Sequence, residues 1–128
     1  MRKVTIEGRL CVGPTFSRAE MAVMKRNLSQ QTSLPHLADL LAAVGSVVRL
    51  RIVYLLAIHR EMCVCDLAEV LGLTMSATSQ HLRRLKDQQL VQTRREAQTI
   101  YYSLRNNLFN KQLRRIMEVD KEIHELVS

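Results

Sequence analysis

The spacing of apolar side chains changes period several times along this chain, and each change marks an element. Residues 1–16 hold Val4, Ile6, Leu10 and Val12 in loose alternation, closed by the turn signal Gly13-Pro14. A mobile arm or a short strand fits that pattern. A helix is predicted over 17–28: Ser17 stands at its head, Glu20 follows three residues later as in a capping box, and Met21, Met24 and Leu28 form one stripe. A second helix is expected from about Ser33, with Pro35 in its first turn, where proline is tolerated, and Leu37, Leu40, Leu41 and Val44 leading to Gly45. Ser46 can cap a third over 47–59, with Val48, Ile52, Leu55 and Leu56 inside and Arg49, Arg51 and Arg60 outside.

Next comes a pair of helices. Leu67, Val70 and Leu71 stand at helical spacing, Gly72 breaks the run, and a new helix begins near Thr74 and carries Leu82 and Leu85 inward. That is the outline of a helix–turn–helix. Residues 90–104, LVQTRREAQTIYYSL, alternate on both sides of a polar centre, so Val91, Thr93 and Arg95 are expected to pair with Ile100, Tyr102 and Leu104 in a β-hairpin. Such a hairpin directly after a reading helix makes the wing of a winged helix. Residues 105–128 form a last amphipathic helix with Leu113, Ile116, Met117, Asp120, Ile123, His124 and Val127 on one face. With no later element to cover it, that face is expected to meet the first helix of a second copy. The fold class is therefore mainly α with a small β-hairpin: a homodimeric winged helix–turn–helix over 17–128, with dimerisation helices at both ends and an arm over 1–16.

Composition agrees. The chain has 128 residues, about one domain, and is 47% hydrophobic but only 4% aromatic, which favours packed helices over a sheet-rich fold. A core of that size is small, and a second copy would support it. The net charge of +7 suits a polyanionic partner. It is unevenly spread: six Lys or Arg against two acids over 1–30, five against two over 72–104, but three against four over 31–71. No apolar run approaches the roughly 18 residues of a membrane span, and Glu7 and Arg9 interrupt any signal-peptide core. A cytoplasmic address is expected, where thiols stay reduced. Three cysteines then read as ligands, reactive thiols or core residues rather than as a disulfide framework.

Together EMCVCDLA at 61–68, GLT at 72–74, SQHLRRL at 79–85, Leu90-Val91 and YYSL at 101–104 resemble the ArsR/SmtB metal-responsive repressors, over roughly residues 37–104. The resemblance implies no enzyme. It implies a homodimer that occupies double-stranded operator DNA when metal-free, leaves it on binding metal, and controls efflux or detoxification genes. It further implies thiolate ligands from Cys63 and Cys65 for cadmium, lead or arsenic; the cadmium/lead type adds arm cysteines from the other protomer, a role open to Cys11. The chain departs from the family pattern in four places. Ala68 stands where arsenic sensors often have a third cysteine, and the arm has one cysteine rather than two. Asn106, Asn107 and Leu108 replace an Asp-x-His ligand set, leaving only Glu118, Asp120, His124 and Glu125 as C-terminal donors. The wing tip Glu96-Ala97-Gln98 lacks the usual glycine, so a longer or differently shaped turn is expected.

Residues two apart on a regular helix point about 200° away from each other, whereas in extended backbone they share a side. Cys63 and Cys65 can thus grip one ion only if the helix start is non-helical. Thiolates select soft ions. With Cys11 they make a three-sulfur set suited to Pb(II) or As(III), while Cd(II) or Zn(II) would want a fourth donor from Asp66, His59 or water. The plain alternative is two small buried residues at a helix start, with His36, His59 and His124 as surface histidines. On the reading helix Met75, Ser76, Ser79, Gln80, Arg83 and Arg84 are available to DNA, Gln for adenine and Arg for guanine. Thr74 caps a helix N-terminus that favours a phosphate, and Arg94 and Arg95 would clamp the backbone from the wing. Otherwise these are solvated faces of a partner-binding module. Two further readings remain: a thiol-redox or sulfide switch in which Cys11 bridges to Cys63 or Cys65, and a small thiol enzyme or metal carrier.

Overall fold

Three of the helices begin where a hydroxyl can accept from a free backbone N–H. Ser17, Ser46 and Thr74 all sit in extended backbone, and their side chains accept from the amides of Glu20, Arg49 and Ala77. The computed structural model describes residues 2–13 and 15–127, with side chains at 7–8, 13 and 15–118. Residues 1–37 and 38–128 form two compact units.

The first unit opens with β1 (Arg2–Ile6) and β2 (Arg9–Gly13), antiparallel, with Val4 opposite Cys11. The chain reverses at Glu7 and Gly8, whose φ values of 51° and 75° are both positive, as a tight hairpin turn demands. Glycine meets that demand without steric cost. The stretch expected as an arm or single strand is thus a two-stranded hairpin, and the Cys11 side chain is outside the described set. Then come α1 (Arg18–Ser29), which buries none of its residues, and α2 (Ser33–Val44), whose residues from Ala38 onward belong to the second unit. Leu34, Leu37 and Leu41 form an exposed row on α2, while Ala43 and Val44 at its end are buried.

The second unit continues with α3 (Val47–His59), β3 (Glu61–Cys63), α4 (Val64–Leu71), α5 (Met75–Asp87), β4 (Val91–Glu96), β5 (Thr99–Leu104) and α6 (Leu108–Val127). Its core gathers Ile52, Val53 and Leu56 from α3, Leu67 from α4, Leu82 and Leu85 from α5, then Leu90, Val91 and Leu113. Each fully buried leucine contributes about 1.5–3 kcal/mol. The inner face of α3 differs from expectation, since Val53 is buried where Val48 and Leu55 are only half-buried. On α4 the inner places go to Leu67 and Ala68, and Val70 is 61% exposed. Gly72 ends α4 with φ 68°, while Leu73 N–H bonds to Ala68 O and Gly72 N–H to Glu69 O, the paired bonds of a Schellman ending.

The sheet order is β3-β5-β4, all antiparallel, and the wing register pairs Val91 with Leu104, Thr93 with Tyr102 and Arg95 with Ile100, as expected. β3 was not foreseen. The wing turn is not longer: Glu96 pairs with Thr99 across a two-residue turn in which Ala97 takes φ 54° in place of the missing glycine. The last helix begins three residues later than expected, because Asn107 Oδ1 accepts from Asn110 N–H and acts as its cap. Asn110 is buried and donates to Leu90 O and Arg105 O, tying α6 to the root of the wing. The side chains of Asp120, Ile123, His124, Glu125 and Val127 lie outside the described residues. No single helix among those described is long and apolar enough to cross a membrane.

Candidate nucleic-acid interface and thiol pair

α5 is two-faced by its own spacing. Thr78, Leu82 and Leu85 are fully buried, while Ser76, Gln80 and Arg83 each precede one of them by two residues, about 200° round the helix. Met75, Ser76, Ser79, Gln80, Arg83 and Arg84 are all exposed, so the six residues of this helix expected to face DNA are all presented to solvent. Thr74 Oγ1 accepts from Ala77 N–H at 3.1 Å, and buried Thr78 donates its hydroxyl to Thr74 O at 2.9 Å. These two bonds hold the head of the helix, where remaining free N–H groups favour an anion.

The wing arginines differ. Arg95 is exposed and makes no ion pair among the described residues. Arg94 is engaged from three sides: its Nη2 and Nε donate to the Glu61 carboxylate at 2.6 and 3.2 Å, its Nη1 donates to Glu96 at 3.0 Å, and its guanidinium lies 4.8 Å from the Tyr101 ring centre. The hydrogen bond from Arg94 holds the Glu61 carboxyl below its ordinary range, and the bonds to Glu61 and Glu96 push the arginine up. Sequence spacing missed Glu61, because its partner lies 33 residues away.

Arg49 was expected outside and is instead half-buried. It donates to Ala43 O and Ala42 O at the end of α2 and reaches His81 Nδ1 on α5 at 3.2 Å. Burial, and then repulsion from Arg84, lower its pKa.

The thiol pair straddles a joint. Cys63 closes β3 in extended backbone, φ −82° and ψ 166°, and is also the N-cap of α4; Cys65 is the second residue of that helix. Cys63 is half-buried, Cys65 is exposed, and both thiols are free. The non-helical start that chelation requires is therefore already present at Cys63. The sulfur makes no cap bond, whereas a serine at an N-cap is worth about 1 kcal/mol. β3 pairs with the wing strand β5, Met62 opposite Tyr102 and Cys63 opposite Tyr101. Among the described residues no three His, Cys, Asp or Glu side chains stand close enough to hold an ion. Asp66 and His59 do not form such a group with the two thiols among the described residues. Two soft donors fit a thiophilic ion, and the rest of its shell must come from elsewhere. Asn106 and Asn107 show no ligand arrangement either: Asn107 caps α6 and donates to Gln89 O.

Residues 46–93 match the family described as "Bacterial regulatory protein, arsR family". The chain is 34% identical over 98 residues to the transcriptional repressor SmtB homolog of Synechocystis sp., spanning 77% of this chain and 74% of that one. It is 34% identical over 80 residues to the cadmium resistance transcriptional regulatory protein CadC homolog of Staphylococcus aureus, 62% of this chain and 65% of that one. Among solved structures it is similar to HlyU from Vibrio cholerae, with TM-score 0.65, 32% identity, 70% of this chain and 97% of that one; a second form of that protein is described as reduced. It is also similar to the homodimeric winged helix–turn–helix DNA-binding domain of a possible ArsR-family regulator from Mycobacterium bovis, with TM-score 0.63, 25% identity, 88% of this chain and 94% of that one.

Proposed function

This chain belongs to the arsR family of bacterial regulatory proteins, and from that premise we propose that it is a homodimeric transcriptional repressor released from operator DNA by a soft metal or metalloid ion. Operators of metal efflux or detoxification genes are the targets this reading assigns. Ser76, Ser79, Gln80 and Arg83 read bases from the major groove, with Met75 and Arg84 flanking them. Thr74 and Arg95 hold the backbone. The exposed Leu34, Leu37 and Leu41 row of α2 suits a second copy, the assembly described for the M. bovis relative. Two copies would set two reading helices in successive major grooves of a pseudo-palindromic site.

One observation carries the ion response: Cys63 and Cys65 lie on the two sides of the joint between β3, which pairs with the wing, and α4, which supports α5. Drawing the two sulfurs together acts on both halves of the reader. Cys11 is assigned the third thiolate. Cd(II) is favoured by the similarity to a cadmium resistance regulator; Pb(II), As(III) and Zn(II) are the other candidates.

The test titrates Cd(II), in the presence of a thiol-free reductant, against a labelled duplex that the protein has selected from a random pool. The expected loss of affinity is about 5- to 150-fold, and DNA should weaken Cd(II) binding by the same factor. A Cys63→Ser/Cys65→Ser protein still displaced by Cd(II) like the parent would refute the reading. A second reading, release by oxidation with Cys11 bridging to Cys63 or Cys65, is favoured by the relative described in a reduced form. Release by an oxidant but not by Cd(II) selects it.

A further inference from the structure

The buried face of α5 sets which side of the helix meets the core, and a polar contact can sharpen its rotation further. Thr78, Leu82 and Leu85 meet the core through apolar contact, which is non-directional. Reading a base edge needs more. Even a small turn of α5 about its axis would sweep Ser76, Gln80 and Arg83 across the groove together, so a directional contact that sharpens the angle bears on recognition.

Arg49 supplies one. Arginine presents five donors in a planar fork and accepts nothing. Here the fork joins three helices. Its backbone N–H bonds Ser46 Oγ at 3.4 Å in the first turn of α3. Its Nε and Nη2 donate to Ala43 O and Ala42 O in the last turn of α2, where the helix dipole is negative; Ala42 O also accepts from Gly45 N–H. Its Nη1 donates to His81 Nδ1 at 3.2 Å, so the ring carries its own hydrogen on Nε2. His81 sits between Gln80, which faces outward, and Leu82, which is buried; a bond to its ring therefore fixes the edge between the two faces of α5.

The arrangement is costly. Burial and the nearby Arg84 both disfavour the Arg49 cation. A leucine would fill part-buried space without that penalty, as apolar replacements of buried ions generally do. The sharp corner it spans, with α2 and α3 bent by 88°, already has tight packing at Gly45, where a Cβ would come within 3.1 Å of Leu41 O.

We infer that Arg49 is a positioning residue for operator recognition: with its donors engaged inside the protein, it locks the rotation of α5 against the end of α2 through His81. The inference rests on the DNA-binding reading above. It distinguishes Arg49 from Arg83 and Arg84, which present their cations to DNA.

The experiment compares Arg49→Leu, His81→Leu, their double variant and His81→Gln, whose amide oxygen can still accept from Arg49. Affinity is measured for the selected operator and for a random duplex, with circular dichroism showing each protein folded at the assay temperature. Each leucine variant should bind the operator roughly tenfold more weakly, the scale of one lost charged hydrogen bond, while the random duplex changes by less than about twofold. The double variant should be no worse than the poorer single, and His81→Gln should stay within about threefold of the parent. Additive losses, equal losses on both duplexes, or His81→Gln as weak as His81→Leu would overturn the inference. Should Arg49→Leu not fold, the His81→Gln and His81→Leu pair decides by the same comparison. A parent that prefers no duplex over a random one overturns the DNA-binding reading, and this inference with it; a parent that prefers its operator while the two His81 variants behave alike overturns the lock alone.

Discussion

The two wing arginines are adjacent in sequence and opposite in circumstance, which makes them a sharp test of the proposed interface. Arg94 is already neutralised by Glu61 and Glu96, at 2.6 and 3.0 Å, and lies over Tyr101; to reach a phosphate it must abandon both carboxylates. Arg95 has no such attachment among the described residues. Each phosphate neutralised on duplex DNA adds about 0.9 to the slope of log affinity against log salt. Arg95→Ala should therefore flatten the slope by about 0.9 per wing. Between about 50 and 200 mM salt that amounts to about 3.5-fold less salt sensitivity for one wing and about twelvefold for two wings of a dimer. Arg94→Ala should leave the slope within about 0.3 of the parent, because an arginine held on Glu61 and Glu96 neutralises no phosphate. The assay is fluorescence anisotropy of the labelled operator at several salt concentrations, and the slope reports contacts independently of absolute affinity. If Arg94→Ala flattens the line as much as Arg95→Ala does, the carboxylates give way on binding and the division of roles drawn here is wrong.

Three further expectations follow from the same contacts. Thr74→Ala removes the acceptor for Ala77 N–H and should lower stability to urea by about 1 kcal/mol, whereas Thr74→Ser should recover most of it. Leu82→Ala empties a fully buried position and should cost about 2–5 kcal/mol in thermal or urea unfolding, a large share of a typical 5–15 kcal/mol total; a loss under about 1 kcal/mol would show that the reading helix is not seated on the core. Because Arg94 holds the Glu61 carboxyl below its ordinary value of 4.5, the pair supports the folded state above that value and ceases to do so as pH falls through the depressed one. A carboxyl chemical-shift titration should show Glu61 titrating low in the parent and returning towards 4.5 in Arg94→Ala; an unchanged titration would dissolve the pairing.

What could be read from the residues alone is what depends on near neighbours. Ser17, Ser46 and Thr74 cap helices through amides three positions on, Gly72 ends α4 through its freedom at positive φ, and the wing strands pair in the register that alternation on each side of residues 96–98 dictates. The exposed row of α5 follows from helical geometry and the burial of Leu82 and Leu85. Tertiary structure decided the rest. β3 is three residues long, too short to show a period, and exists because Met62 and Cys63 find Tyr102 and Tyr101 on β5. Arg94 looked like its neighbour until Glu61 came beside it, and Arg49 looked solvated until the corner after α2 folded it towards His81. Those partners are 33 and 32 residues apart, far beyond the four-residue reach of local periodicity, so only the folded chain could bring them together.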